Sequence, residues 1–151
     1  MRSGFGLLAL SGALLLQSGF VHAQDRKIEQ AIKHRKAAFT LMATYVNRMV
    51  QTVDGHRPFD AKLMAQDART VELLSKLTWE GFVEGSERGD TRAMDDIWFE
   101  EDKFNRYANE LQVKTAAVSV AAESGDLKRF KAAVSQMRDA CNTCHKAFRK
   151  D

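Results

Sequence analysis

The sequence predicts an all-α protein, an antiparallel four-helix bundle. Three observations carry that expectation. The 151 residues include a single proline, Pro58, so little interrupts long helices. No sustained alternation of apolar and polar residues reads as a strand. Four separate stretches repeat apolar residues three and four positions apart, the spacing of a helix buried along one seam.

Residues 1–23 read as a secretory signal peptide. Arg2 supplies the positive end, Phe5 to Leu16 an apolar run, and Val21-His22-Ala23 a small-residue cleavage site. The run is too short and too broken by Gly, Ser and Gln17 to span a bilayer comfortably. No cysteine follows it to carry a lipid anchor. The expected mature protein is residues 24–151, one domain without a membrane segment, exported to a bacterial periplasm. Loss of Arg2 leaves 22 Lys+Arg against 20 Asp+Glu. That near balance, with no basic stripe interleaved with aromatics, gives no footprint of nucleic-acid binding.

The first helix is predicted over about Asp25 to Val53. Its seam is Ile28, Ile32, Arg35, Phe39, Met42, Val46, Met49 and Val53. Arg35 is the one charge in that seam, and a buried arginine needs an anionic partner. Asp54 to Phe59, with Gly55 and Pro58, reads as a turn. Asp60 is placed to cap a second helix running to about Leu77, with Met64, Ala68, Val71, Leu74 and Leu77 as its apolar face.

Thr78 to Asp96 is a long, glycine-containing connection. Connections of that length are commonly functional, and Trp79, Phe82 and Trp98 argue for a packed crossover. The third helix is predicted from about Asp96 or Glu100 to Glu123, on a seam of Phe104, Ala108, Leu111, Thr115, Val118 and Ala122. Ser124-Gly125-Asp126 breaks it, with Asp126 capping the last helix. That helix carries Leu127, Phe130, Val134, Met137, Cys141, Cys144 and Phe148 along one seam.

The last helix holds the chemistry. Cys141-Asn142-Thr143-Cys144-His145 is a Cys-x-x-Cys-His motif, the attachment signature of c-type haem. At about 100° per residue, the two thiols and the imidazole fall within roughly one 100° arc. Two thiols there can form thioethers with the vinyl groups at one porphyrin edge, and His145 can then reach the iron. A thioredoxin-like dithiol would sit at a helix start after a strand. A structural zinc site needs about four ligands, and the mature chain has only these two cysteines and the scattered His34, His56 and His145. Export and a cysteine count of two agree with one covalent haem c. Because the cysteines continue the apolar seam, the haem faces the bundle interior, and a propionate would serve as the anion for Arg35.

The sixth iron position decides the chemistry: a Met ligand gives a low-spin electron carrier, an open position binds small molecules. His34 lies about 140° round the helix from Phe39, away from the seam, and His56 sits in the turn; both read as surface histidines. Met42 and Met49 face inward, where methionine commonly serves packing. Met42 is the candidate sixth ligand of a six-coordinate, low-spin carrier.

His34-Arg35-Lys36-Ala37-Ala38-Phe39-Thr40-Leu41-Met42-Ala43, the connection with Trp79, Phe82, Gly89-Asp90 and Ile97-Trp98, and the terminal Cys-x-x-Cys-His-x-x-aromatic-Arg together resemble cytochrome c′, the class II c-type cytochromes. The resemblance spans essentially the whole mature chain. It implies Cys141 and Cys144 as thioether cysteines and His145 as proximal ligand. It implies Arg149 beside the imidazole, Arg35 beside a propionate and Asp90 at the haem edge. Lys36 stands where many members have Gln. Phe39 stands at the distal position, where five-coordinate members have mostly Leu and low-spin members Met. Phe cannot ligate iron, so the resemblance implies a five-coordinate, high-spin haem.

The resemblance further implies binding of NO and CO with discrimination against O₂, and a homodimer through the first two helices. Two function classes stand side by side: a gas-binding haem protein, and an electron carrier with an unidentified periplasmic redox partner. An enzyme such as a peroxidase needs a distal acid or base near the iron, and the seam around Phe39 offers none.

Overall fold

The computed structural model describes residues 13–150, with side chains from residue 23 onward. The predicted signal segment therefore lies outside the described residues as far as residue 12, and only the backbone of 13–22 is described. Helix α1 spans Ala13–Val53 and α2 spans Ala61–Leu77. A single 3₁₀ turn, Thr78–Gly81, opens the crossover, and the one-turn α3, Asp96–Phe99, closes it. Helices α4, Glu101–Glu123, and α5, Leu127–Phe148, complete an antiparallel four-helix bundle.

The chain ends its helices where its turn chemistry directs. Gly55 adopts φ +83° after α1, and the His56 amide donates back to the Gln51 carbonyl at 2.8 Å. That is a left-handed C-terminal cap, which glycine adopts without a Cβ clash. The Asp60 carboxylate accepts from the Leu63 amide at 3.0 Å and starts α2. The Asp126 carboxylate accepts from the Lys128 and Arg129 amides and starts α5. Each such cap contributes about 1 kcal/mol.

Helix α1 begins earlier than the predicted Asp25, because no proline or charge interrupts the residues between 13 and 24. The third predicted helix is split. Glu100, at φ −118° and ψ 44°, leaves helical geometry and separates α3 from α4.

Side chains from all four long helices meet in one core. Met49, Met64, Val71, Val118, Phe130, Val134 and Met137 are fully buried there. Burial of each contributes about 1.5–3 kcal/mol. The predicted α4 seam is buried at every position. The predicted α2 face fails at its end: Leu77 is 38% exposed, and Ser75 and Thr78 are buried instead. The Ser75 and Thr115 hydroxyls pair at 2.9 Å, and Trp79 Nε1 donates to the Ser75 carbonyl. Those bonds satisfy polar groups at the point where α2 tightens into the 3₁₀ turn.

Asp67 was no candidate for burial by pattern, yet it is 3% exposed against α1. Arg48 Nε comes within 3.1 Å of its Oδ2 but is not aligned for a hydrogen bond. Burial raises the Asp67 pKa, and the positive charges of Arg48 and Arg57 oppose that rise. Among the described residues no helix is long and apolar enough to cross a membrane.

Candidate cofactor site

Helices α1 and α5 diverge around a cavity of about 660 Å³. That volume lies in the range of about 300–1,000 Å³ usual for small-molecule and cofactor sites. Phe39, Met42, Val46 and Val50 of α1 form one wall, and Cys141, Cys144, His145 and Phe148 of α5 form the other. Trp79, Phe82 and Phe104 close the end. Phe39, Val46, Cys141 and Cys144 lie on the predicted seams but are only half-buried. They pack against the edge of the core on one side and line this cavity on the other.

The aromatic end wall is locked. Phe39 meets Trp79 and Phe82 edge-on at 6.1 and 6.3 Å. Phe82 and Trp79 both pack on Phe104, which in turn packs on Phe148 at 5.4 Å. Edge-to-face pairs add about 0.5–1.5 kcal/mol each beyond area burial. Trp98 joins the packing around Ile97 and Phe104 but does not line the cavity.

The crossover is tied to α1 by Arg35, which is 3% exposed. Its Nη1 donates to the Gly81 carbonyl at 2.9 Å and to Ser86 Oγ at 2.7 Å. Its Nη2 donates to the Ser86 carbonyl and to Thr91 Oγ1 at 2.6 Å. These four acceptors are neutral, so the guanidinium is bonded while its charge is not cancelled by contact. Burial lowers its pKa, and Glu87 opposes that shift at longer range. Gly81 is required here, because a Cβ would lie 2.6 Å from Arg35 Cβ and 2.7 Å from the Ala31 carbonyl oxygen. Sequence reasoning missed Gly81, Ser86 and Thr91. A glycine-containing connection was visible, but nothing in the pattern announced a partner 46 to 56 residues away.

Lys36, next on α1, reaches the cavity mouth and pairs with Asp90 Oδ2 at 2.5 Å. The pair holds a pKa-lowered Asp90 carboxylate in solvent. Asp90 does not itself line the cavity. Arg35, Lys36, Arg92, Arg138 and Arg149 all do, and no carboxylate does among the described residues. Sequence reasoning also missed Arg92 and Arg138, which no motif or seam singles out.

The predicted attachment turn is assembled as its spacing requires. Cys141 and Cys144 are free thiols, half-buried one helical turn apart. Burial pushes the Cys144 thiol up to about 11 and raises Cys141 as well. Burial therefore disfavours the thiolate at both positions, so neither cysteine is set up as an activated nucleophile. Among the described residues no three His, Cys, Asp or Glu side chains converge to hold a bare metal ion.

His145 lines the cavity, and burial followed by the charges of Arg149 and Arg92 lowers its pKa. That shift favours the neutral imidazole, the form that can offer a lone pair to iron. Arg149 Nη1 lies 3.3 Å from His145 Nδ1. His34, against the Leu77 carbonyl, and His56, in the α1–α2 turn, are both exposed and line neither side of the cavity.

A largely apolar slot with two thiols and an imidazole on one wall, and five cations in its lining, fits a flat, apolar dianion that is fixed along one edge. Haem c is such a group, so fold and site define the class as a c-type haem protein built on a four-helix bundle. Comparison with known proteins agrees. The family model described as Cytochrome C′ matches residues 30–149. Cytochrome c′ of Alcaligenes xylosoxydans xylosoxydans is 36% identical over 84% of this chain and 98% of its own length. Cytochrome c′ of Rubrivivax gelatinosus is 34% identical over 84% and 99%. Among solved structures, cytochrome c prime from Shewanella frigidimarina superposes with a TM-score of 0.80 at 37% identity, covering 82% of this chain and 97% of that one. The nitric oxide complex of a mutant cytochrome c prime from Alcaligenes xylosoxidans gives a TM-score of 0.78 at 35% identity, covering 82% and 96%.

The chain belongs to the cytochrome c′ family, and its cofactor is haem c.

Proposed function

We propose that residues 24–151 form an exported, periplasmic gas-binding haem protein whose iron has His145 on one side and an open position on the other. When bound, the haem supplies an iron that can take a diatomic gas. Cys141 and Cys144 fix one haem edge, and His145 gives the axial nitrogen. Arg35 and Lys36 set a positive charge on the propionate side, Arg35 from within its bonds to the crossover and Lys36 from its pair with Asp90. Arg149 stands beside the His145 imidazole.

One observation carries the reading: the wall opposite His145 presents Phe39, held edge-on by Trp79 and Phe82, where a ligand would have to stand. The neighbouring Val46 and Val50 are apolar too. The polar Thr40 and Asn47 of α1 also line the cavity, with the Thr40 hydroxyl given to the Lys36 carbonyl. A gas under Phe39 nevertheless meets a ring that offers no hydrogen bond, which favours neutral NO and CO over O₂, whose bound form gains most from a donor. The nitric oxide complex of the Alcaligenes relative supports that choice of ligand. Phe39 likewise supplies no acid or base for peroxide chemistry, and Lys36 on the same wall is paired with Asp90, so the role is binding and electron exchange with a periplasmic partner, not catalysis. Exposed Leu41 on α1 and Leu73 on α2, at 52% and 58%, suit a homodimer through those helices.

Met42 also reaches the cavity wall, and that contact favours a second reading, a six-coordinate low-spin carrier. Electron paramagnetic resonance of the ferric protein separates the two. A high-spin signal is expected. A low-spin signal that disappears in Met42→Leu would transfer the assignment to the carrier.

A further inference from the structure

A second cleft, of about 510 Å³, lies behind His145, lined by Arg92, Met94, His145, Lys146, Arg149 and Lys150. Four of those six residues are cations. The fold gathers them deliberately across 58 residues of sequence. The Lys150 amide donates to the Arg92 carbonyl at 2.8 Å, Arg92 Nε donates to the Lys150 carbonyl at 3.0 Å, and the Met94 amide donates to the Phe148 carbonyl at 3.0 Å. Ala93 and Arg149 pair as an antiparallel bridge between them. None of the four cations meets a carboxylate among the described residues. Like charges held together by backbone bonds repel, and an anion between them relieves that cost.

His145 adds a second observation. Its Nδ1 faces Arg149, whose guanidinium can only donate. With Nε2 committed to iron, Nδ1 carries the imidazole proton and is also a donor. Iron-bound histidines ordinarily donate that proton to an acceptor, and here the facing group supplies none. An oxyanion in the cleft would accept from both Nδ1–H and Arg149 at once.

We propose that this cleft is a binding site for a small inorganic oxyanion, seated between Arg92, Arg149 and the two lysines and bonded to the back of His145. The Nδ1 part rests on the haem reading; the charge cluster does not. A negative charge behind the imidazole favours the oxidised iron, so the bound anion lowers the midpoint potential.

The probe is inorganic phosphate, titrated into the haem-loaded protein at ionic strength held constant with sodium chloride. The full-length mature chain is used, so binding is measured against its own Asp151. Calorimetry should give one phosphate per chain, and the potential should fall along the same saturable curve. Lys146→Gln/Lys150→Gln, which leaves every residue of the haem cavity in place, should weaken both by about fivefold at unchanged haem spectrum, since exposed charge contacts contribute up to about 1 kcal/mol together. A potential that follows ionic strength without saturating, or a double variant that keeps wild-type affinity, overturns the proposal. A colourless protein would instead mark failure of the haem reading.

Discussion

Replacing Phe39 with alanine should speed CO binding and loosen the crossover together. The ring stands between α1 and the pair Trp79 and Phe82, at 6.1 and 6.3 Å. If a gas enters by pushing the ring out of one or both contacts, it gives up about 1 kcal/mol for each. Removing the ring then lowers the entry barrier by about 1–2 kcal/mol, or about five- to thirtyfold in rate. Full burial would make Phe→Ala cost about 3–5 kcal/mol; Phe39 is half-buried, so about 2 kcal/mol is expected. Flash photolysis of the ferrous CO complex reads the rate, and denaturant melts read the stability. Phe39→Leu should fall between the two. An association rate that is unchanged or slower in Phe39→Ala, with stability reduced as expected, would refute the assignment of Phe39 as the gate.

Arg35→Met should cost about 3 kcal/mol or more in denaturant melts, because it strands the Gly81, Ser86 and Thr91 acceptors after removing four charged-donor hydrogen bonds. Limited proteolysis should then cut between residues 82 and 95 first. Cys141→Ala/Cys144→Ala should yield protein from which acid-acetone extracts the haem, whereas the wild-type haem stays with the polypeptide; intact mass spectrometry reads the difference. Asp67 holds its proton more tightly when folded than when unfolded, since burial dominates its raised pKa. Its contribution to stability is therefore greatest below the ordinary carboxylate value and is lost as pH rises through the window above it. The difference in melting free energy between Asp67→Asn and wild type, followed from about pH 4 to pH 7, should move in favour of the variant. A flat difference would mean that Arg48 fully compensates the buried charge.

Helix seams were readable because 3.6-residue periodicity is a local property. Phe104 through Ala122 and Phe130 through Met137 lie buried where spacing put them. Caps were readable for the same reason: Asp60 and Asp126 need only the two or three amides that follow them. The attachment turn was readable because its three side chains share a single helical turn. Leu77 was misplaced because periodicity assumes that the helix continues, and α2 tightens at Thr78. Glu100 divided one predicted helix into two for a related reason. The Arg35 bonds, the Gly81 approach and the Arg92–Lys150 staple join residues more than 45 positions apart, and no local pattern encodes such a meeting. Buried Asp67 was hidden because its partner Arg48 sits on another helix.

The central claim is a covalent haem c with His145 below and an open position above, under Phe39. The most direct test is the room-temperature optical spectrum of the purified mature protein, oxidised, reduced, and reduced under CO. A high-spin spectrum in both oxidation states, with a large change on adding CO, is the predicted result. A low-spin spectrum that CO leaves unchanged would contradict the open position, and a protein without visible absorption would contradict the haem itself.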